Sequence, residues 1–313
     1  MSEPMQAPEF APLKPGQTIG IMGGGQLGRM LAMAAARMGL HANIFDPDRT
    51  SPAGGVAQQL FSASYRDRMA LTAFARASDV ITYEFENIPS TALDIVGALR
   101  PIRPGIRALE VSQDRLTEKT FLNEQGCKTA SFAAVDSLED LKEAIKTIGL
   151  PAILKTRRLG YDGKGQMRIT APGQAEAAWE GIKEEPAILE GHVDFQFESS
   201  LIAARGLDGS VAVYDPGENL HRGGILATTT IPSRLAPAQR HEAILMAAKL
   251  LNSLDYIGVL AVELFVTPDG LVVNEIAPRV HNSGHWTQNG CAVDQFEQHV
   301  RAIAGWPLGD GSR

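Results

Sequence analysis

The sequence is short of cysteine, of positive charge and of long apolar runs, and each shortage closes off a class of protein. Only Cys127 and Cys291 are present, neither in a ligand-like pair, so both read as reduced, structural residues of a cytosolic protein. Acidic residues outnumber basic ones, 36 to 29, giving a net charge of -7. A nucleic-acid partner is therefore not expected, since it requires a basic face. Small anions are not excluded, because a few placed Arg, Lys and backbone N–H groups suffice for them. No apolar run can span a bilayer, so no membrane partner is expected. Residues 1–15 lack the apolar centre of a signal peptide and read as a loose arm, and the cytoplasm is the expected location.

A chain of 313 residues exceeds one typical core and predicts two or three domains. The first hundred residues alternate strand and helix: strands at Thr18–Met22, Ala42–Phe45 and Val80–Tyr83, helices at Gln26–Gly39 and Leu71–Ala77. That alternation predicts a parallel sheet covered by helices. A new unit starts after the Pro-rich stretch Arg100–Gly105, with helices at Asp114–Gln125, Leu138–Ile148 and Glu176–Ile182. Its strands are Ala130–Ala134, Ala152–Thr156 and Ala187–Glu190. From Phe197 the pattern becomes strand-rich: Phe197–Ala204, Val211–Asp215 and Ile225–Thr230, a long helix Pro237–Leu254, then Gly258–Phe265 and Leu271–Ile276. The expected fold class is α/β followed by α+β.

Gly23-Gly24-Gly25-Gln26-Leu27-Gly28 fits a G-x-G-x-x-G turn between strand and helix, and Asp46 ends the next strand. Taken alone this is a dinucleotide fingerprint, since glycines let backbone N–H groups approach phosphate at a helix N-terminus. The same turn could bind another phosphate, or nothing.

The last two strands carry a more specific signal. Glu263 and Glu275 flank Thr267-Pro268-Asp269-Gly270, a strong turn signal. A three-residue loop Pro268-Asp269-Gly270 with Gly270 left-handed would set Glu263 directly opposite Glu275. Two like charges so placed destabilise a hairpin unless a cation such as Mg, which takes carboxylate and phosphate oxygens, lies between them. A register slipped by one residue would instead turn one of them to solvent. The following run, Ala277 to Thr287, is dense in Arg, His, Asn and Ser and poor in core-building residues. Arg279 suits phosphate or carboxylate by its fork geometry. His281 and His285 are four apart, but Gly284 and the lack of a third ligand argue against zinc. Lys155 to Gly165, with four basic residues and three glycines after a strand, reads as a flap over phosphates or as a solvated loop.

Four runs then resemble one family. Gly24–Met30, Tyr83–Asn87, Arg158–Gln166 and Asn274–Thr287 are similar to the ATP-grasp enzymes, and within them to the N5-carboxyaminoimidazole ribonucleotide synthetases, over roughly Gly16 to Pro307. The resemblance implies a Rossmann-like pre-ATP-grasp domain at 16–108, an ATP-grasp lid at 109–192 and an ATP-grasp large subdomain at 193–313. It implies carboxylation of 5-aminoimidazole ribonucleotide, with ATP and bicarbonate as co-substrates, through carboxyphosphate and without biotin. Mg, as two ions, or Mn would be held by Glu263 and Glu275. Lys119, Lys155, Gly160, Gly163, Gly165 and Asn274 would serve the ATP phosphates, Glu190, His192 and Val193 the adenine, and Glu198 the ribose. Tyr161, Asp162, Arg279, His281 and Asn282 would line the carboxylation site. Gly25, Gln26, Leu27, Glu84, Asn282 and Ser283 would bind the ribonucleotide. A homodimer is implied as well. So is a small C-terminal domain with a basic segment, which is expected to be missing, since Gly309–Arg313 holds nothing comparable.

Three other readings compete. A nicotinamide dehydrogenase would explain the glycine turn but not the acidic hairpin or the basic loop. A sister ligase using formate, such as a formate-dependent glycinamide ribonucleotide transformylase, does not account for His281–Thr287. A catalytically silent binding module is the third.

Overall fold

The computed structural model describes residues 11–160 and 165–313, which form three sheets in chain order. The first is parallel, as the alternation predicts. Strand β1 (Thr18–Met22) leads through α1 (Gln26–Arg37) to β2 (His41–Phe45), then β3 (Gln59–Phe61), α2 (Arg68–Arg76) and β4 (Val80–Tyr83), in the order β3-β2-β1-β4. Helix α1 buries Leu31, Ala32, Ala34 and Ala35 on one stripe, and the chain turns away at Gly39, whose φ is 76°. Helices α3 (Ser90–Gly97), α4 (Ile106–Ser112) and α5 (Arg115–Glu124) lead out of this unit. Asp114 caps α5 by accepting from the Leu116 and Thr117 amides.

The second sheet is antiparallel and small. It contains β5 (Phe132–Val135), β6 (Ala152–Thr156), β7 (Gln166–Ile169) and β8 (Ala187–Gly191), ordered β5-β8-β6-β7, with α6 (Leu138–Ile148) and α7 (Ala175–Gly181) on one face. Its core is its own: Leu141, Leu154, Ile169, Trp179 and Leu189 pack together. Backbone ties join it to the third sheet at both ends, Val273 N–H to Lys128 O at 2.8 Å and Gln196 N–H to Val266 O at 2.8 Å.

The third sheet is built from β9 (Phe197–Arg205), β10 (Val211–Val213), β11 (Gly217–Arg222), β12 (Ile225–Thr230), β13 (Gly258–Thr267) and β14 (Gly270–Ala277). The order is β12-β11-β9-β13-β14, with β10 paired to β9. Helix α8 (Pro237–Ser253) covers one face through Ala247, Leu250 and Leu251. After the short α9 (Thr287–Gly290), helix α10 (Gln295–Ala304) covers the other. Asp294 caps α10 and Gly305, at φ 74°, ends it.

Helix α10 was not foreseen, and it organises the molecule. Its Phe296, Val300 and Ile303 share one core with Ile19, Leu31 and Ala35 of the first unit and with Val259 and Ala261 of β13. Leu13, within the expected loose arm of residues 1–15, is tied to the end of α10, contrary to that reading, while residues 1–10 lie outside the described residues. Leu13 is buried, its N–H donates to Ala304 O at 2.8 Å, and Trp306 Nε1 donates to Leu13 O at 2.7 Å. The polar run before α10 also contributes to the interior. Ser283, Thr287 and Gln295 are fully buried and hydrogen-bonded, so that stretch builds a polar core where none was expected.

The hairpin β13–β14 places Glu263 opposite Glu275, as expected, but by another route. The loop is one residue shorter than predicted, because Thr267 pairs with Gly270. The register then shifts between Glu263 and Leu264, where Asn274 is the extra residue on β14. This bulge restores the pairing that the longer loop would have given. Gly270 has φ 121°, open only to glycine in practice.

Candidate functional site

A cavity of about 450 Å³ lies between the small sheet and the third sheet. At one end its wall is apolar, formed by Ile153, Phe195 and Phe265. The rings of Phe195 and Phe265 stack at 4.7 Å with 14° between their planes, a surface suited to a flat aromatic group. Beside them Glu198 on β9 and His221 on β11 form a pair at 2.5 Å, and that hydrogen bond raises the His221 pKa.

The floor of the cavity is a compact set of charges, in which Glu118, Lys119 and Glu190 are buried and Arg115, Lys155 and Glu275 are partly exposed. Arg115 Nη1 meets Glu275 Oε2 at 2.9 Å. Lys155 and Lys119 reach Glu190 Oε2 at 3.0 and 3.4 Å, and Lys119 Nζ also donates to Asn274 O at 2.7 Å. Glu118 accepts the Ile276 amide at 2.7 Å. Burial raises the Glu118 pKa, and the charge of Glu275 adds to the rise. Glu275 goes the other way: burial would raise it, but Arg115, Lys155 and Lys119 together lower it. Lys155 is lowered chiefly by burial, with Glu190 opposing.

At the opposite end the cavity meets the first unit. Arg279 is held by Glu86 at 2.9 Å, and Asn282 lines the wall. His281 Nδ1 accepts from the Ser283 amide at 3.3 Å, which leaves Nε2 as the donor to Glu263 Oε1 at 3.2 Å.

Of the residues expected from the sequence, the structure gathers Lys155, Gly160, Glu198, Glu263, Asn274, Glu275, Arg279, His281 and Asn282 around this one cavity. Lys119 and Glu190 are buried behind its floor, and Ser283 is buried beneath His281. The His192 N–H, expected near the adenine ring nitrogen, donates to Pro151 O at 3.0 Å; Val193 follows it off the wall. Gly165 closes the loop after β6 by accepting from Thr156 N–H at 2.8 Å. Tyr161, Asp162 and Gly163 lie outside the described residues. Two of the loop's basic residues face the start of α5: Arg157 binds Asp114 at 2.9 Å and Arg158 binds Gln113 at 2.9 Å.

Arg115, Glu118 and His221 are among the cavity residues that escaped the sequence reading, as are Ile153, Phe195 and Phe265 of the apolar wall. Arg115 and Glu118 share helix α5 with Lys119, and the i, i+4 spacing of Arg115 and Lys119 was the available signal. His221 gave none, since only the pairing of β11 with β9 brings it to Glu198.

The glycine turn is arranged differently from a dinucleotide cradle. Gly24 N–H donates to Asp46 Oδ2 at 2.6 Å, and Gly25 and Gly28 N–H donate to Glu84 at 2.9 and 3.3 Å. Two carboxylates of the chain itself occupy the amides a pyrophosphate would need, and Asp46 is drawn away from any ribose. Gln26 is exposed and Leu27 half-buried, and neither reaches the cavity wall.

Two domain families match this architecture. Residues 16–113 match the ribonucleotide synthetase preATP-grasp domain and residues 120–296 the ATP-grasp domain, so fold and site together define an ATP-grasp enzyme. Among relatives, the N5-carboxyaminoimidazole ribonucleotide synthase of Brucella melitensis is 54% identical over 304 residues, covering 96% of this chain and 84% of that one. The Staphylococcus aureus N5-carboxyaminoimidazole synthetase complexed with ADP superposes with a TM-score of 0.93 at 39% identity, covering 97% of this chain and 82% of that one. An Aspergillus clavatus N5-carboxyaminoimidazole synthase in complex with ADP and 5-aminoimidazole ribonucleotide gives 0.87 at 29% identity, covering 95% and 79%. This chain belongs to the N5-carboxyaminoimidazole ribonucleotide synthase family. The dehydrogenase and formate-ligase readings fall with that finding.

Proposed function

We propose that the cavity carries out the family reaction: ATP-dependent carboxylation of 5-aminoimidazole ribonucleotide by bicarbonate to N5-carboxyaminoimidazole ribonucleotide, giving ADP and phosphate, in purine synthesis. The observation that carries this reading is the opposition of Glu263 and Glu275 in a cavity that also holds Lys155 and an aromatic slot. Adenine fits the slot between Ile153 and the Phe195–Phe265 wall, and Glu198, oriented by His221, faces the ribose hydroxyls. The polyphosphate then runs toward Lys155 and Arg115.

The donor set fits a hard divalent cation. Two facing carboxylates and the Asn274 side chain offer oxygen ligands, and phosphate oxygens complete such a shell. Among the described residues no group of three or more His, Cys, Asp and Glu is arranged to hold a metal alone. Glu263 and Glu275 would hold Mg, as two ions, or Mn, which supplies charge neutralisation at the transferred phosphoryl group. Arg115, bound to Glu275 here, is placed to exchange that carboxylate for a phosphate oxygen.

At the far end, Arg279, His281 and Asn282 converge beyond the phosphates. Arg279 suits the bicarbonate-derived carboxylate by its fork geometry, and His281 steadies Glu263. Carboxyphosphate is short-lived in water, so the basic loop after β6 is assigned the role of excluding water, and Tyr161 and Asp162, which lie outside the described residues, keep the carboxylation-site role that the resemblance implies. Lys119 and Glu190 support the floor. A cytoplasmic homodimer completes the reading; no helix among the described residues is long and apolar enough to cross a membrane.

The test is product formation. ADP release and carboxylated ribonucleotide should appear together, and only when MgATP, bicarbonate and aminoimidazole ribonucleotide are all supplied. ATP turnover indifferent to the ribonucleotide, or turnover with formate in place of bicarbonate, would overturn the assignment.

A further inference from the structure

Strand β14 ends the strand order of the third sheet, so its outer backbone groups must be satisfied by something other than a full neighbouring strand. At Val273 the partner is still backbone. Thr129 forms a parallel bridge with it, and Val273 N–H donates to Lys128 O at 2.8 Å. At the bulge the partners become side chains. Lys119 Nζ donates to Asn274 O at 2.7 Å, and Ile276 N–H donates to Glu118 Oε1 at 2.7 Å. These two backbone groups flank Glu275, one residue before it and one after. In a parallel ladder a single residue of the adjacent strand bonds such a pair, giving its N–H to the first and accepting the second at its C=O. Glu118 and Lys119, adjacent on α5, supply that acceptor and that donor from their side chains, and both are buried. Ionised partners make such bonds shorter and stronger than neutral ones.

We infer that Glu118 and Lys119 are positioning residues that stand in for a neighbouring strand and so aim the Glu275 carboxylate. The inference rests on the proposed metal role of Glu275. A bulge interrupts the ladder and twists the chain locally, so β13 alone holds the backbone least firmly where Glu275 stands. A carboxylate that shares a small cation needs its direction fixed by the groups behind it. The third contact from α5 differs in kind, since Arg115 grips the Glu275 carboxylate itself at 2.9 Å. Arg115 can release that carboxylate to a cation while Glu118 and Lys119 keep the strand in place. Lys119 serves this task rather than a phosphate: it is buried, with Nζ held by Asn274 O and, at 3.4 Å, by Glu190 Oε2.

Mn binding to the full chain in the presence of ADP, read from the loss of the free-ion EPR signal, tests this beside calorimetry of ADP without metal. Lys119→Met and Glu118→Leu are each expected to raise the Mn Kd about 10-fold and to change the metal-free ADP Kd less than about twofold, as for loss of a group that orients a metal ligand. Glu118→Gln keeps an oxygen for the Ile276 amide and should recover most of what Glu118→Leu loses. In a Glu275→Gln background, Lys119→Met should add less than about twofold, because no ligand is left to aim. A Lys119→Met loss that falls on metal-free ADP would make Lys119 a phosphate ligand and overturn the inference. Additive losses with Glu275→Gln, or a Glu118→Gln as weak as Glu118→Leu, would do the same. Wild-type Mn affinity in Glu275→Gln would sink the metal reading and this inference with it. Wild-type affinity in both α5 variants beside a weakened Glu275→Gln would sink the positioning role alone. Should one α5 variant not fold, the other carries the cycle with Glu275→Gln.

Discussion

His299 offers a clean measurement of the joint between the first unit and the third sheet. The ring is fully buried on α10. Its Nδ1 accepts from Val259 N–H at 3.1 Å, so Nε2 carries the proton and donates to Thr82 Oγ1 at 2.8 Å. Burial lowers its pKa to about 3 from the usual 6.5. The unfolded chain therefore binds a proton near neutrality that the native state refuses. The contribution is fully present above about pH 6.5 and is lost as pH falls toward about 3. Between pH 7.5 and 5.0 that amounts to about 2 kcal/mol, taken from 1.36 kcal/mol per pKa unit. His299→Gln presents an oxygen to Val259 and an amide to Thr82 without titrating. Urea unfolding of both proteins at the two pH values isolates the term, because every other titrating group is shared. The wild type should lose about 2 kcal/mol more than the variant over this interval. Parallel losses would mean that the imidazole is not held neutral in the interior.

Two further outcomes follow from the cavity. Glu275→Gln removes a carboxylate from the facing pair and should lower ADP formation at saturating Mg by about 100-fold or more, seen in a coupled assay; unchanged turnover would remove the metal assignment. Phe265→Ala takes away one ring of the stacked wall. It should raise the KM for ATP by about 10-fold and leave that for the ribonucleotide alone, in initial-rate measurements.

Much of this architecture could be read from residue order. The strand-helix alternation gave the parallel sheet, and Leu138–Ile148 and Ile225–Thr230 appear with the predicted bounds. The acidic pair was legible because turn chemistry is local, yet the pairing emerged from two departures that compensate, a shorter loop and a bulge at Asn274. A bulge leaves no mark in a single sequence. Arg115 and His221 were illegible for a different reason. A charged residue on an amphipathic helix or a half-exposed strand looks solvated until its packing partner is known, and here the partners are 160 and 23 residues away. Helix α10 was missed because its buried face includes Gln295, Gln298 and His299, so polarity hid its periodicity. The glycine turn shows the converse. Its pattern is legible and its usual ligand is not, since what fills it is a side chain from 59 residues further along.

One mechanical consequence follows from α10. Because that helix is wedged into a core common to the parallel sheet and β13, those two parts share one interior. The small sheet keeps a separate interior and is joined to the rest by backbone ties near Lys128, Gln196 and Arg157 and by polar contacts to α5. Any opening of the cavity for nucleotide exchange is therefore expected to separate the small sheet from the third sheet, rather than the parallel sheet from β13.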